Sequence, residues 1–173
     1  MTAARHLAQF NIARIKYPLV DPRMAEFVAN VDRVNGLAEK IEGFVWRLKD
    51  DSGHAMNMTV YDDPRILPNL TVWEGVEALE RFVWKTVHSR FYARRQEWFE
   101  PLDTPLVLWF VPSGHWPSLT EAVERLEDLK TNGPSDRAFG WESLPAGVNR
   151  RLDRLETRVE RVERRLELTD AAH

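Results

Sequence analysis

The sequence predicts an α+β protein: one antiparallel sheet with helices packed on it, its elements in the order β-α-β-β-α-β. Three observations predict this. The segment His6–Ala13 alternates apolar and polar residues, as a half-buried strand does. Two long stretches, one opening at Asp21-Pro22 and one at Gly75, repeat apolar residues at helical spacing. The run Leu106-Val107-Leu108-Trp109-Phe110-Val111 is continuously apolar, which suits a strand covered on both sides at the centre of a sheet.

The first strand places Ala8, Phe10 and Ile12 on one face and Gln9 and Asn11 on the other. Tyr17-Pro18 ends it. Asp21 is suited to cap the first helix and Pro22 to occupy its first position. Met24, Phe27, Val28, Val31, Val34, Leu37 and Ala38 then form an apolar stripe to about Lys40. After Gly43, Phe44-Val45-Trp46-Arg47-Leu48 reads as a second strand. Asp50-Asp51-Ser52-Gly53 and Asp62-Asp63-Pro64 are turn clusters, so residues 50–65 are expected to make an excursion over the surface. Asn69-Leu70-Thr71-Val72-Trp73 is the third strand. Gly75–Val87 and Ser89–Phe99 read as helix, and Leu106–Val111 is the fourth strand.

This order is the split β-α-β, or ferredoxin-like, arrangement. Its helices cover one face of the sheet, and the other face still needs a partner. A second sheet from a second subunit is the expected cover, which makes the chain a homodimer. Ser118 and Glu121 form a capping box for a further helix carrying Leu119, Ala122, Leu126 and Leu129. Residues 1–141 are thus expected as one domain with a helical extension. Residues 142–173 are expected as a linker and tail. From Val148 the tail repeats heptads, with Leu152, Val159 and Leu166 alternating with Val148, Leu155 and Val162. Its flanking arginines and acids match in sign only in a parallel pair, so it reads as a short parallel coiled coil.

Composition removes several classes of function. The 173 residues carry a net charge of -3, which gives no reason to expect nucleic acid or an anionic membrane as a partner. There is no cysteine, hence no disulfide, thiolate metal site or cysteine nucleophile. No apolar run approaches the length of a membrane span, and the first residues lack the apolar core of a signal peptide, so a cytoplasmic protein is expected. No histidine and carboxylate set has a metal-ligand spacing, and phosphate-cradling and nucleophile-elbow motifs are absent.

Seven tryptophans stand out, spread over nearly every element. The region Phe82–Glu100 concentrates aromatic and basic residues. On one continuous helix Trp84, His88, Phe91, Arg95 and Trp98 would line a single stripe. The apolar face of the preceding residues, Val76, Leu79, Val83 and Val87, lies well round from that stripe. Either the helix breaks near Thr86–Ser89, or the stripe faces something other than the main core.

Three blocks of the chain carry a resemblance: HLAQFNIARIKYPLVDPRMAEFVANVDRVNGLAEKIEGFVWRL, NLTVWEGVEALERFVWKTVHSRFYARRQEWFE and PLVLWFVPSGHWPSLTEAVERL. Over about residues 5–140 they resemble a bacterial family of domains of unknown function. That family is similar to the antibiotic-biosynthesis-monooxygenase-like branch of the dimeric α+β barrel superfamily. The resemblance implies two ferredoxin-like units packed sheet to sheet, each with a pocket between sheet and helices.

The leading functional expectation is a monooxygenase-like small-molecule enzyme, working without metal or flavin on an electron-rich aromatic or polyketide-type substrate. Trp46, Trp73 and Trp109 would wall the pocket, with Trp84, Phe91 and Trp98 beside them. His88 would manage a proton, Arg95 would hold an anionic group, and Asn11 would supply hydrogen bonds. One alternative is a protein binding haem or another planar ligand in the same pocket, with His88 as ligand. Another is a non-catalytic structural or regulatory dimer that docks a partner through the coil.

Overall fold

A computed structural model of the protein describes residues 4–145. The chain divides after Gly140 into two units, and the sheet and helices belong to the first. Of the second, the described part holds one helical turn, Trp141–Ser143. The heptad run from Val148 lies outside the described residues.

The elements follow the predicted order. β1 spans Arg5–Ile15, α1 Ala25–Ala38, β2 Phe44–Arg47, β3 Ile66–Trp73 and α2 Val76–Lys85. α3 (His88–Ala93), a two-residue β4 (Phe99–Glu100), β5 (Leu106–Pro112) and α4 (Leu119–Asn132) complete the unit. All pairings are antiparallel, and the main strands run β2-β3-β1-β5 across the sheet. That is the interleaved order of a split β-α-β unit. β4 pairs Phe99 with Ile15 and Glu100 with Arg14 on the same edge of β1 that β5 uses. The sequence places Phe99 in a helix instead; pairing with the overhanging end of β1 overrides the helical pattern.

The local signals act as expected at several ends. Asp21 Oδ1 accepts from the Arg23 amide at 2.9 Å, and Pro22 opens the turn that leads into α1. Ser118 Oγ accepts from the Glu121 amide at 3.1 Å at the start of α4. Gly43 enters β2 at φ 90°, where a Cβ would lie 2.6 Å from that of Ala78, so the turn sits directly against α2.

Helices of this one chain lie against both faces of the sheet. Ala8, Phe10, Ile12, Leu70, Val72, Val107, Trp109 and Val111 form one face, each at most 6% exposed. Ala122 and Leu126 of α4 pack on it, with Ala138 and the half-buried Val60 and Tyr61. Trp109 Nε1 donates to Glu121 Oε1 at 3.1 Å, fastening strand to helix. Where a second subunit's sheet is expected, this face carries α4, Val60 and Tyr61 of the same chain. The reason is the amphipathic stripe of α4, which finds its apolar surface within its own chain. The segment after α4 also returns to the sheet. Phe139 exchanges two backbone hydrogen bonds with Leu108, at 2.8 and 2.9 Å, and is fully buried.

On the other face, the aromatic stretch is broken. α2 ends at Lys85 and α3 begins at His88, with Thr86 extended between them. Thr86 serves both ends: its Oγ1 donates to the Phe82 carbonyl at 2.6 Å and accepts from the His88 amide at 3.2 Å. Of the two options left open by the sequence, the break is the one observed. Trp84, His88, Phe91, Arg95 and Trp98 therefore do not share one helical stripe. Thr86→Val keeps the shape but removes both bonds. It is expected to destabilise by about 1 kcal/mol, lowering Tm by about 2–4 °C. Thr86→Ser should recover most of that loss in thermal denaturation.

Candidate functional site

The helix-side face of the sheet is built from Leu7, Gln9, Asn11 and Ile15 of β1 and from Leu67, Asn69, Thr71 and Trp73 of β3. The register sets Leu7 opposite Trp73, Gln9 opposite Thr71 and Asn11 opposite Asn69. Both ends of this face are closed by aromatic packing. At one end Trp73 stacks on Phe82 of α2 (5.4 Å) and meets the edge of Phe44 (5.3 Å). At the other end Ile15, Met24, Leu67 and Trp98 form a buried cluster, with Phe27, Phe91 and Phe99 against it.

Between these plugs β1 and β3 are polar, while β5 sets Leu108 opposite Gln9 and Leu106 opposite Asn11. Trp73 Nε1 donates to Thr71 Oγ1 at 2.8 Å, and Thr71 Oγ1 donates to Gln9 Oε1 at 2.7 Å. Gln9 Nε2 donates to Asn11 Oδ1 at 2.6 Å, and Asn69 Nδ2 donates to the same oxygen at 2.9 Å. Gln9 and Thr71 are buried, Asn11 is half-buried, and Asn69 is exposed. An exposed side chain on the helix side of β3 means that the helix layer leaves this part of the floor open. The apolar side of α1 agrees, because Phe27, Val31, Val34 and Leu37 are only half-buried. The arrangement sets two carboxamides on a floor with aromatic packing at both ends, a mix of apolar and polar groups that small-molecule sites use.

His88 stands in the helix layer. Its ring lies 4.8 Å from that of Phe82, which in turn stacks on Trp73, and 6.4 Å from that of Tyr92. Its Nδ1 is 3.4 Å from the Val83 carbonyl. A carbonyl can only accept, so Nδ1 carries the proton and Nε2 the lone pair. Burial pushes the His88 pKa below its ordinary value of 6.5, against a smaller upward push from the Val83 carbonyl. His88 is thus neutral at pH 7, in the form that accepts a proton.

This gives a pH prediction with a definite sign. The unfolded chain protonates His88 more readily than the folded one, so stability is full above 6.5 and falls as pH drops through that value toward the lower folded pKa. The slope from one histidine is at most about 1.4 kcal/mol per pH unit. Urea denaturation at several pH values should show a shallower acid slope for His88→Asn than for the parent chain. Equal slopes would contradict the burial argument.

The other sequence candidates are distributed differently than expected. Asn11 and Trp73 share the open face with the helices. Trp46 and Trp109 lie on the opposite face, because Ala8 pairs with Trp109 and with Val72, and Val72 with Trp46. One pocket walled by Trp46, Trp73 and Trp109 is thereby corrected: strand alternation sends them to opposite sides. Trp98 is 2% exposed inside the end cluster, and Phe91 packs on it at 6.0 Å. Trp84 is half exposed on the outside of α2, edge-on to Tyr92 at 5.5 Å.

Arg95 is exposed, with its guanidinium over the Tyr92 ring at 4.2 Å and Nη1 donating to the Tyr92 carbonyl at 2.9 Å. Its neighbour Arg94 makes the ion pairs, to Glu26 of α1 at 2.6 and 2.8 Å and to Glu97 at 2.8 Å. Arg94 therefore ties α1 to the residues that follow α3. Both carboxylates are held below their usual range by hydrogen bonding to Arg94.

Sequence reasoning missed Gln9, Asn69 and Thr71. Their signal was available as polar residues at alternate positions on two strands, of which only Asn11 enters the site expected from sequence. Among the described residues no three histidine or carboxylate side chains are grouped so that they could hold a metal ion. Nor is any helix among them long and apolar enough to cross a membrane.

Comparison with solved structures finds several partial likenesses. One is a conserved protein from Methanosarcina mazei Go1, 14% identical over 63% of this chain and 93% of that one, with a TM-score of 0.42. Another is SnoaB, a cofactor-independent oxygenase from Streptomyces nogalater, 13% identical over 66% and 97%, with a TM-score of 0.40. A third is PA3566 from Pseudomonas aeruginosa, 11% identical over 66% and 98%, with a TM-score of 0.39. No curated protein matches the chain. The resemblance to a family of unknown function is borne out: the model described as "Domain of unknown function (DUF3291)" matches residues 6–153, and the chain belongs to that family.

Proposed function

We propose that this protein is a monooxygenase-like enzyme that acts, without metal or flavin, on an electron-rich aromatic or polyketide-type substrate lying on the Asn11–Asn69 floor. The observation that supports this most is the pair of accessible carboxamides on a sheet face otherwise sealed by aromatic side chains. Such a floor binds the oxygen of a phenol, enol or ketone, while apolar α1 and α3 side chains take the ring.

The chemistry asked of the site is modest. A substrate CH2 flanked by conjugating groups loses a proton, and the charge is delocalised onto oxygen, where a carboxamide N–H stabilises it. His88, neutral with Nε2 unprotonated, is the group proposed to take the proton. The carbanion reduces dioxygen by one electron, the two radicals combine into a peroxide anion with a new C–O bond, and the proton held by His88 returns to it to give the hydroperoxide. Loss of water leaves a carbonyl, so that CH2 plus O2 becomes C=O plus H2O.

Oxygen uptake with 1,8-dihydroxyanthrone in chelator-treated buffer tests the reading. One O2 consumed per quinone formed, faster than the uncatalysed reaction, is the expected result. No acceleration together with no binding of the anthrone would reject it. A Soret band on adding haem, lost in His88→Ala, would move the assignment to a haem-binding protein. Association as a homodimer stays part of the proposal, through a surface other than the one under α4. Light scattering of the full chain and of a chain ending at Trp141 would read whether the heptad tail pairs.

A further inference from the structure

The hydrogen bonds of the floor run in one direction. An indole N–H can only donate. Trp73 Nε1 therefore takes a lone pair of Thr71 Oγ1, 2.8 Å away. The Thr71 hydroxyl donates to the Gln9 carbonyl oxygen at 2.7 Å. This turns the Gln9 amide nitrogen toward Asn11, where it requires an acceptor, Oδ1, at 2.6 Å. Asn69 Nδ2 donates to the same oxygen at 2.9 Å. With Oδ1 holding two donors, the Nδ2 group of Asn11 is turned off the chain of bonds. Gln9 and Thr71 are each 5% exposed, so water competes little for these bonds. Flipping Asn11 would set two N–H groups against the Gln9 and Asn69 donors and leave them without an acceptor.

We infer that the Trp73–Thr71–Gln9 chain sets the polarity of the site, holding Asn11 with its N–H2 group toward the ligand so that a phenolate or enolate oxygen is preferred over the neutral phenol. Gln9 and Thr71 are positioning residues in this scheme and touch no ligand. The inference rests on the reading of this face as a ligand site, but the orientation itself can be measured without any ligand.

Side-chain amide hydrogen exchange on the labelled free protein decides the orientation. The Gln9 amide protons should exchange at least about tenfold more slowly than those of Asn11, one buried bond's worth of protection. Thr71→Val should release Gln9 and shrink that difference, whereas Thr71→Ser should keep it. Equal exchange in the parent chain, or a Thr71→Val pattern identical to it, overturns the device.

The ligand preference is read with 4-nitrophenol, whose anion is coloured. The phenolate should bind about tenfold more tightly than the phenol, the size of one charge-assisted hydrogen bond, so the bound probe ionises at a lower pH than the free one. Gln9→Met and Thr71→Val should abolish this shift, and Thr71→Ser should retain it. Binding without a shift in the parent chain overturns the preference. No binding at all overturns the ligand-site reading and the preference with it, while the exchange result still decides the orientation.

Discussion

Trp109→Ala is expected to lower the free energy of unfolding by about 3–5 kcal/mol, as buried aromatic truncations do. Trp109 is 1% exposed, in the middle of the face that α4 covers, and its indole N–H bonds Glu121 of that helix. The substitution opens a cavity between sheet and helix and removes the donor that Glu121 Oε1 faces. Against a total stability of about 5–15 kcal/mol for a domain, this is a large fraction. Equilibrium urea denaturation measures it, and Trp109→Phe should fall between the two by keeping most of the apolar volume. A loss below about 1 kcal/mol would mean that α4 does not depend on this contact.

Asn11→Ala should reduce turnover in the anthrone assay by about 10²–10³-fold, the usual effect of removing one donor from a developing oxyanion. The substitution also removes the acceptor of the buried Gln9 amide, which should cost about 1–3 kcal/mol of stability. The loss of turnover should fall mainly on kcat, since the charge on the substrate oxygen is greatest after deprotonation. Asn11→Asp should be at least as damaging, since it replaces a donor with a negative charge facing the oxyanion. If both variants retain parent kcat, the carboxamide is a structural member of the sheet and the chemistry lies elsewhere.

Much of the architecture was legible because its signals are local. Alternation located β1, the Asp21-Pro22 cap located the start of the first helical segment, and the apolar run located β5. Even the break at Thr86 was visible as two apolar stripes out of phase. What could not be read was which face of the sheet each residue meets. Trp46 and Trp109 look like Trp73 in composition, and only the pairing of Ala8 with Trp109 and of Leu7 with Trp73 separates them. Gln9 and Asn11 carried the opposite ambiguity. A polar alternate face does not show which groups will satisfy it, and here they are Thr71 and Asn69, about sixty residues further along the chain. Likewise Arg94 and Arg95 are adjacent and alike. The position of Glu26 on α1 selects the first for ion pairing, and that is a tertiary fact.

The covering of one sheet face by α4 also has a consequence for biosynthesis. β1 and β3 are complete long before residues 119–132 leave the ribosome, so Phe10, Val72 and their neighbours must wait for the helix that shields them. In that interval the nascent chain displays a broad apolar surface of the kind that recruits chaperones or aggregates. A stop before Ser118 would make the interval permanent. Truncated chains should accumulate as insoluble material, while a separately supplied 118–139 peptide added during refolding should return part of them to solution.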